Sequence, residues 1–141
     1  MSRIVVGVDG SPGSIAALRW AHAEARLRRA TLEVVGVWQY PMMTTVPAFG
    51  ALPDVVDLST QTEEHVLGVL RDNGVESTDE VPVSVSVAEG APAQALISAA
   101  TGAELLVVGS RGHGGFAGLL LGSVSHQCTM HGPCPVVVVH P

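Results

Sequence analysis

Five short runs dominated by β-branched and other apolar residues, at Arg3 to Asp9, Leu32 to Trp38, Val81 to Ala88, Leu105 to Val108 and Pro135 to His140, are separated by segments with helical periodicity. That alternation constrains the fold more than any other feature. Strands that alternate with helices must be joined by crossovers, and right-handed crossovers lay the helices over the faces of a parallel sheet. Ser11 is suited to cap a first helix with Pro12 in its opening turn. That helix is expected to reach about Arg29, with Ile15, Leu18, Ala21 and Ala25 inward and Arg19, Arg26 and Arg29 outward. Val55 to Asp72 predicts a second helix stopped by Asn73-Gly74, Ala91 to about Ala100 a third, and the serine-rich segment after Gly122 a short fourth. The expectation is a doubly wound, Rossmann-like α/β fold: a five-stranded parallel sheet in the order 3-2-1-4-5 with helices on both faces. At 141 residues, 47% of them hydrophobic, residues 1–141 suffice for one domain with a substantial core and leave little for a second.

In that strand order the exit loops of strands 1 and 4 diverge and open a crevice, the usual ligand site of such sheets. The loop after strand 4 is Gly109-Ser110-Arg111-Gly112, followed after nine intervening residues by Gly122-Ser123-Val124-Ser125 at a helix start. Glycines there are expected to take positive backbone dihedrals and to let main-chain amides approach an anion closely, while unpaired first-turn amides and the serine hydroxyls favour negative charge. Motif and topology select the same place, with Asp9 on the opposite loop. Asp9 also reads as an ordinary turn residue, Ser123 as a helix cap and Ser125 as a first-turn residue, so each has a purely structural alternative.

The chain has no lysine, which excludes a Walker-type phosphate lysine, a Schiff base and a kinase-like strand lysine. Any phosphate must be held by backbone and hydroxyl groups, with Arg111 the nearby cation. A formal charge of −6 and a pI near 5.3, with no basic cluster, argue against a nucleic-acid surface. No leader and no apolar span near twenty residues is evident, so the expectation is a cytoplasmic protein with Cys128 and Cys134 as free thiols. His113, His126, His131 and His140 with the two cysteines match no zinc spacing, so no metal ligands are assigned among them. The stretch from Gln39 to Asp54 carries three prolines, with Met42 and Met43, and has no helical period. A loop of that length usually has a task.

The chain also resembles the universal stress protein family over essentially its whole length. The resemblance rests on Ile4-Val5-Val6-Gly7-Val8-Asp9-Gly10-Ser11, on Leu105 to Gly112, on Gly122-Ser123-Val124-Ser125 and on Cys134-Pro135 followed by Val136 to Val139. Gly109, Gly112, Gly122 and Ser123 satisfy Gly-x2-Gly-x9-Gly-Ser, which in this family marks the ATP-binding branch. The resemblance implies a single domain of the adenine nucleotide alpha hydrolase-like type that binds ATP with Mg²⁺ and acts as a nucleotide-dependent regulator in stress response or growth arrest, through a protein partner not named by the sequence. It implies that Asp9 holds the ribose or a metal-linked phosphate, that the backbone of Val37 contacts adenine, and that Ser125 contacts phosphate. It also implies a homodimer formed through strand 5, Val136, Val137, Val138 and Val139, whose uncharged edge invites pairing. The segment from His113 to Leu121, with Phe116, Leu119 and Leu120, is expected to serve as a wall or a lid. An ATP hydrolase or phosphotransferase would need a positioned base and charge stabilisation, for which only Asp9, Arg111 and His113 offer themselves. Slow turnover at most is expected, with no residue assigned as catalytic. A nucleotide-free interaction module is the remaining alternative, and the intact glycines oppose it.

Overall fold

Strand order and strand direction follow from the pairing of five segments: β1 (Arg3–Gly7), β2 (Thr31–Trp38), β3 (Val83–Glu89), β4 (Leu105–Gly109) and β5 (Val136–Val139). The computed structural model describes residues 2–39, 55–112 and 121–141. The strands form one parallel sheet in the order β3-β2-β1-β4-β5, as expected. Ile4 lies opposite Leu32 on one side and Leu105 on the other, so the first strand in sequence is the central strand in space.

Among the described residues four helices cover the sheet: α1 (Pro12–Arg28), α2 (Val55–Asp72), α3 (Pro92–Ala99) and α4 (Ser123–His131). Successive strand residues face opposite ways. Ile4 and Val6 therefore share one core with Leu18, Ala21 and Ala25 of α1 and Val66 and Leu70 of α2, while Val5 and Val35 share the other with Leu96 of α3 and Cys128 of α4. Both layers are closed to water, in keeping with the unbroken apolar strands. Gly36 seats α2 closely: a Cβ there would stand 2.7 Å from Val66 Cγ2 and 3.1 Å from Thr62 Cγ2.

Ser11 caps α1, its Oγ accepting from Ser14 N at 3.3 Å, and Pro12 opens the helix. Of the four residues expected inward on this helix, Leu18, Ala21 and Ala25 are fully buried and Ile15 is half-buried. Arg29 ends α1 in the left-handed conformation at φ 55°, which sequence reading did not anticipate, and the helix stops one residue earlier than expected. Strand 3 starts two residues later than expected because Val81 N is turned to Thr78 Oγ1 and Thr78 N to Val81 O, a local turn that precedes the ladder. Cys128 and Cys134 are free thiols.

Candidate functional site

At the carboxyl ends of β1 and β4, where the chain crosses to opposite faces, the sheet opens into a cavity of about 280 Å³. Its two ends differ in chemistry. One is apolar and built on the half of the sheet near β2, from Val8, Val35, Val37, Pro92 and Leu96. The other gathers the loop after β4 and the start of α4, with Gly109, Arg111 and Gly112 on the first and Gly122, Ser123, Val124 and Ser125 on the second. Asp9 stands between them at the end of β1. All nine residues singled out in the sequence thus line one cavity.

Ser110, buried behind the polar end, ties its two segments together. Its amide donates to Val139 O at 2.9 Å, continuing the β4–β5 ladder, and its carbonyl accepts from Gly122 N at 2.7 Å and from Ser125 Oγ at 2.7 Å. One carbonyl therefore staples the start of α4 to the end of β4. Gly122 is the N-cap of α4, and among the described residues no side chain caps it; the first helical bond runs from His126 N to Gly122 O. First-turn amides have no partner within a helix, and here the residues carrying them line the cavity.

Several expectations about these residues need correction. Positive φ occurs at Gly10, Gly74, Gly90 and Gly102 among the described glycines, not at 109, 112 or 122; Gly122 has φ −74°. Gly109 is glycine for want of space rather than for backbone freedom. A Cβ on Gly109 would lie 2.5 Å from Gly13 C, and one on Gly13 would lie 2.5 Å from Arg111 O, so the two glycines let α1 start directly against the β4 loop. A Cβ on Gly112 would lie 2.9 Å from Asp9 Oδ2. Ser123 is the first residue of α4 and exposed, and Gly122 takes the capping position instead. Ser125 is 2% exposed and donates its hydroxyl proton to backbone carbonyl, so its first role is to hold the loop.

Asp9 is a turn residue as well as a cavity residue. Its Oδ1 accepts from Ser11 N at 2.9 Å, and Ser14 Oγ accepts from Asp9 N at 3.2 Å and Gly10 N at 3.1 Å. The Asp-Gly-Ser turn reading and the ligand reading are compatible because Oδ2 faces the Gly112 loop. Ser11 and Ser14 line the cavity too, and so do Pro92 and Leu96, none of them chosen from the sequence. A signal for Leu96 existed: Gly7 is a strand residue, the last of β1, and a Cβ there would meet Leu96 Cδ1 at 2.7 Å, the close approach that a strand glycine often marks. His113, Phe116, Leu119, Leu120, Met42 and Met43, with most of the Gln39 to Asp54 loop, lie outside the described residues. Among the described residues no group of three or more His, Cys, Asp and Glu side chains is placed to hold a metal ion, and no helix is long and apolar enough to cross a membrane.

Residues 1–140 match the model of the universal stress protein family. The chain belongs to that family. A universal stress protein of Mycolicibacterium smegmatis is 35% identical to it over 140 residues, which cover 97% of this chain and 47% of that one. The chain spans about half the length of the curated relatives it matches. Among solved structures, the universal stress protein UspA of Lactobacillus plantarum superimposes with a TM-score of 0.76 at 22% identity, covering 98% of this chain and 97% of its own, a likeness of fold. A universal stress protein in complex with cAMP superimposes with a TM-score of 0.71 at 26% identity, covering 99% of this chain and 97% of its own. The glycine spacing and the apolar strands that mark the family in the sequence are thus the parts that build the cavity.

Proposed function

We propose that this universal stress protein binds ATP as its magnesium complex and acts as a nucleotide-dependent regulator in stress response or growth arrest in the cytoplasm. The observation that carries the reading is the two-ended cavity at the β1/β4 divergence: an apolar slot beside Val35, Val37 and Leu96 that suits a purine, and an uncapped helix start with a glycine loop that suits phosphates. The cAMP complex of a relative places an adenine nucleotide in the same family. In this reading adenine stacks among the apolar residues with a backbone group of Val37 at its edge. Asp9 Oδ2 takes the ribose hydroxyls or a water on magnesium, and the amides of Arg111 and Gly112 and of Ser123, Val124 and Ser125 receive the phosphates, since those of Ser110 and Gly122 already donate to Val139 O and Ser110 O.

Binding rather than efficient turnover follows from the inventory. Among the described cavity residues only Asp9 and Arg111 ionise, which gives one carboxylate and one guanidinium. Asp9 is already engaged with Ser11 N and is not set up as a base. A single carboxylate also fits a cation that arrives on the phosphates better than one held by the protein alone. Denaturing the purified protein and identifying the released small molecule, then titrating ATP by calorimetry, tests the proposal. An adenine nucleotide in the supernatant and a saturable heat support it; no released nucleotide and no heat with MgATP overturn it.

A further inference from the structure

His65 lies on α2, outside the cavity, yet its ring reaches the turn that carries Asp9. Nε2 is 3.2 Å from Asp9 O, and because a carbonyl only accepts, Nε2 carries the proton of that bond. The ring occupies the space above Gly10: a Cβ built there would stand 2.7 Å from Nε2 and 3.9 Å from Val69 Cγ2. Gly10 also has φ +87°, a conformation side-chain-bearing residues rarely adopt. This turn thus takes a shape that only glycine suits, and α2 closes over it.

The helix that brings His65 there is firmly seated. Thr62, Val66 and Leu70 follow one another at four-residue spacing, with Val66 fully buried and both Val66 and Thr62 packed into the space left by Gly36 on β2. His65 and Val69 form the neighbouring row and meet Gly10. Two glycines, one on the strand and one in the turn, therefore fix α2 against the sheet and against the Asp9 turn together. On the other side the turn is held by Ser14 Oγ, which accepts from Asp9 N and Gly10 N. The Asp9 peptide is gripped from α1 and from α2 at once.

We infer that His65 is a positioning residue of the nucleotide site: by donating to the Asp9 carbonyl it fixes the turn that aims the Asp9 carboxylate into the cavity. This couples nucleotide occupancy to the seating of α2. The role rests on the nucleotide-binding reading above, and a ligand that needs Asp9 in place must by linkage tighten α2 in return.

The test compares wild type with His65→Met, which fills the space without a donor, and His65→Gln, whose amide reaches about as far as Nε2 and restores one. MgATP affinity is measured by calorimetry, amide exchange of Gly10 and Ser11 is measured without nucleotide, and urea midpoints monitor the fold. The expected result is a loss of affinity of about three- to tenfold in His65→Met, the equivalent of one hydrogen bond, with faster exchange at both amides and recovery of both in His65→Gln. Equal affinity in wild type and His65→Met, or a His65→Gln protein as weak as His65→Met, would overturn the inference while leaving ATP binding intact. A wild type that binds no ATP removes the nucleotide reading instead. The exchange rates then decide whether His65 holds the turn, and equal rates in wild type and His65→Met overturn that as well.

Discussion

Asp9 gives one carboxylate oxygen to the amide of Ser11, so an alanine there removes a turn contact and a ligand contact together. Asp9→Asn separates the two, since the amide oxygen still accepts from Ser11 while the charge is lost. MgATP affinity is expected to fall about ten- to a hundredfold in Asp9→Asn, with the melting temperature near that of wild type, and Asp9→Ala is expected to lose stability besides. Calorimetry and thermal melts of the two variants check this. His22 offers a pH-dependent readout. Burial, and after it the Arg26 charge, hold its pKa below the ordinary 6.5. The folded protein thus keeps the ring neutral where the unfolded chain binds a proton, so its contribution is intact above 6.5 and is lost as pH falls below that value. Urea midpoints taken from about pH 7.5 to about pH 5 should decline in wild type and decline less in His22→Gln. The thiols differ in the same spirit: burial pushes Cys128 up to about 11, and it also raises the partly exposed Cys134, against the opposing Arg3 charge. Alkylation of the folded protein is expected to reach Cys134 slowly and Cys128 only on unfolding, as peptide mapping would show.

At the level of elements, Gly109 and Gly122 differ in kind. Gly109 is a packing glycine, because a methyl there collides with the backbone of Gly13 and would prise α1 from β4. Gly109→Ala is expected to cost about 1–3 kcal/mol of stability or more, read from denaturant midpoints. Gly122 has ordinary φ, and its Cβ would meet Arg111 Cα at 3.3 Å, a contact that small shifts relieve. Gly122→Val should therefore keep the fold while its branches fill the polar end of the cavity, lowering MgATP affinity by about tenfold or more. Equal affinity in this variant would place the phosphates elsewhere. The sequence carried the strand order and the glycine-loop and helix-start residues of the cavity because apolar runs and glycine spacing are local signals, while Val37 came from the family resemblance. It did not distinguish a glycine that accommodates a neighbouring helix from one that turns the chain, since both are written with the same letter and the neighbour lies about a hundred residues away. Pro92 and Leu96 escaped for the same reason: an amphipathic helix names its inward side without naming the cleft that side borders. The boundary of strand 3 shifted because Thr78 and Val81 satisfy each other before the ladder begins.

On the scale of the whole molecule, the sheet has two edges of different character. β3 at one end alternates valine with Ser84 and Ser86. β5 at the other is four valines, each half-exposed, with Val137 and Val139 against the core shared with α1 and Val136 and Val138 against the other layer. An uncharged edge of this kind is the proposed seam of a homodimer. Val137→Lys with Val139→Lys is expected to give monomers in sedimentation velocity at micromolar concentration, with circular dichroism reporting a retained fold; a wild-type monomer would refute the seam. The central position of β1 has a further consequence, for biosynthesis. Its partners are β2 and β4, and Ile4 cannot meet Leu105 until the residues between them have left the ribosome. The nascent domain therefore carries β1 with one side unclaimed until β4 emerges, and the cleft beside that strand does not exist until β4 docks. A nucleotide that binds there rewards only the finished sheet. Translation intermediates get no protection from it, however much of it the cell contains.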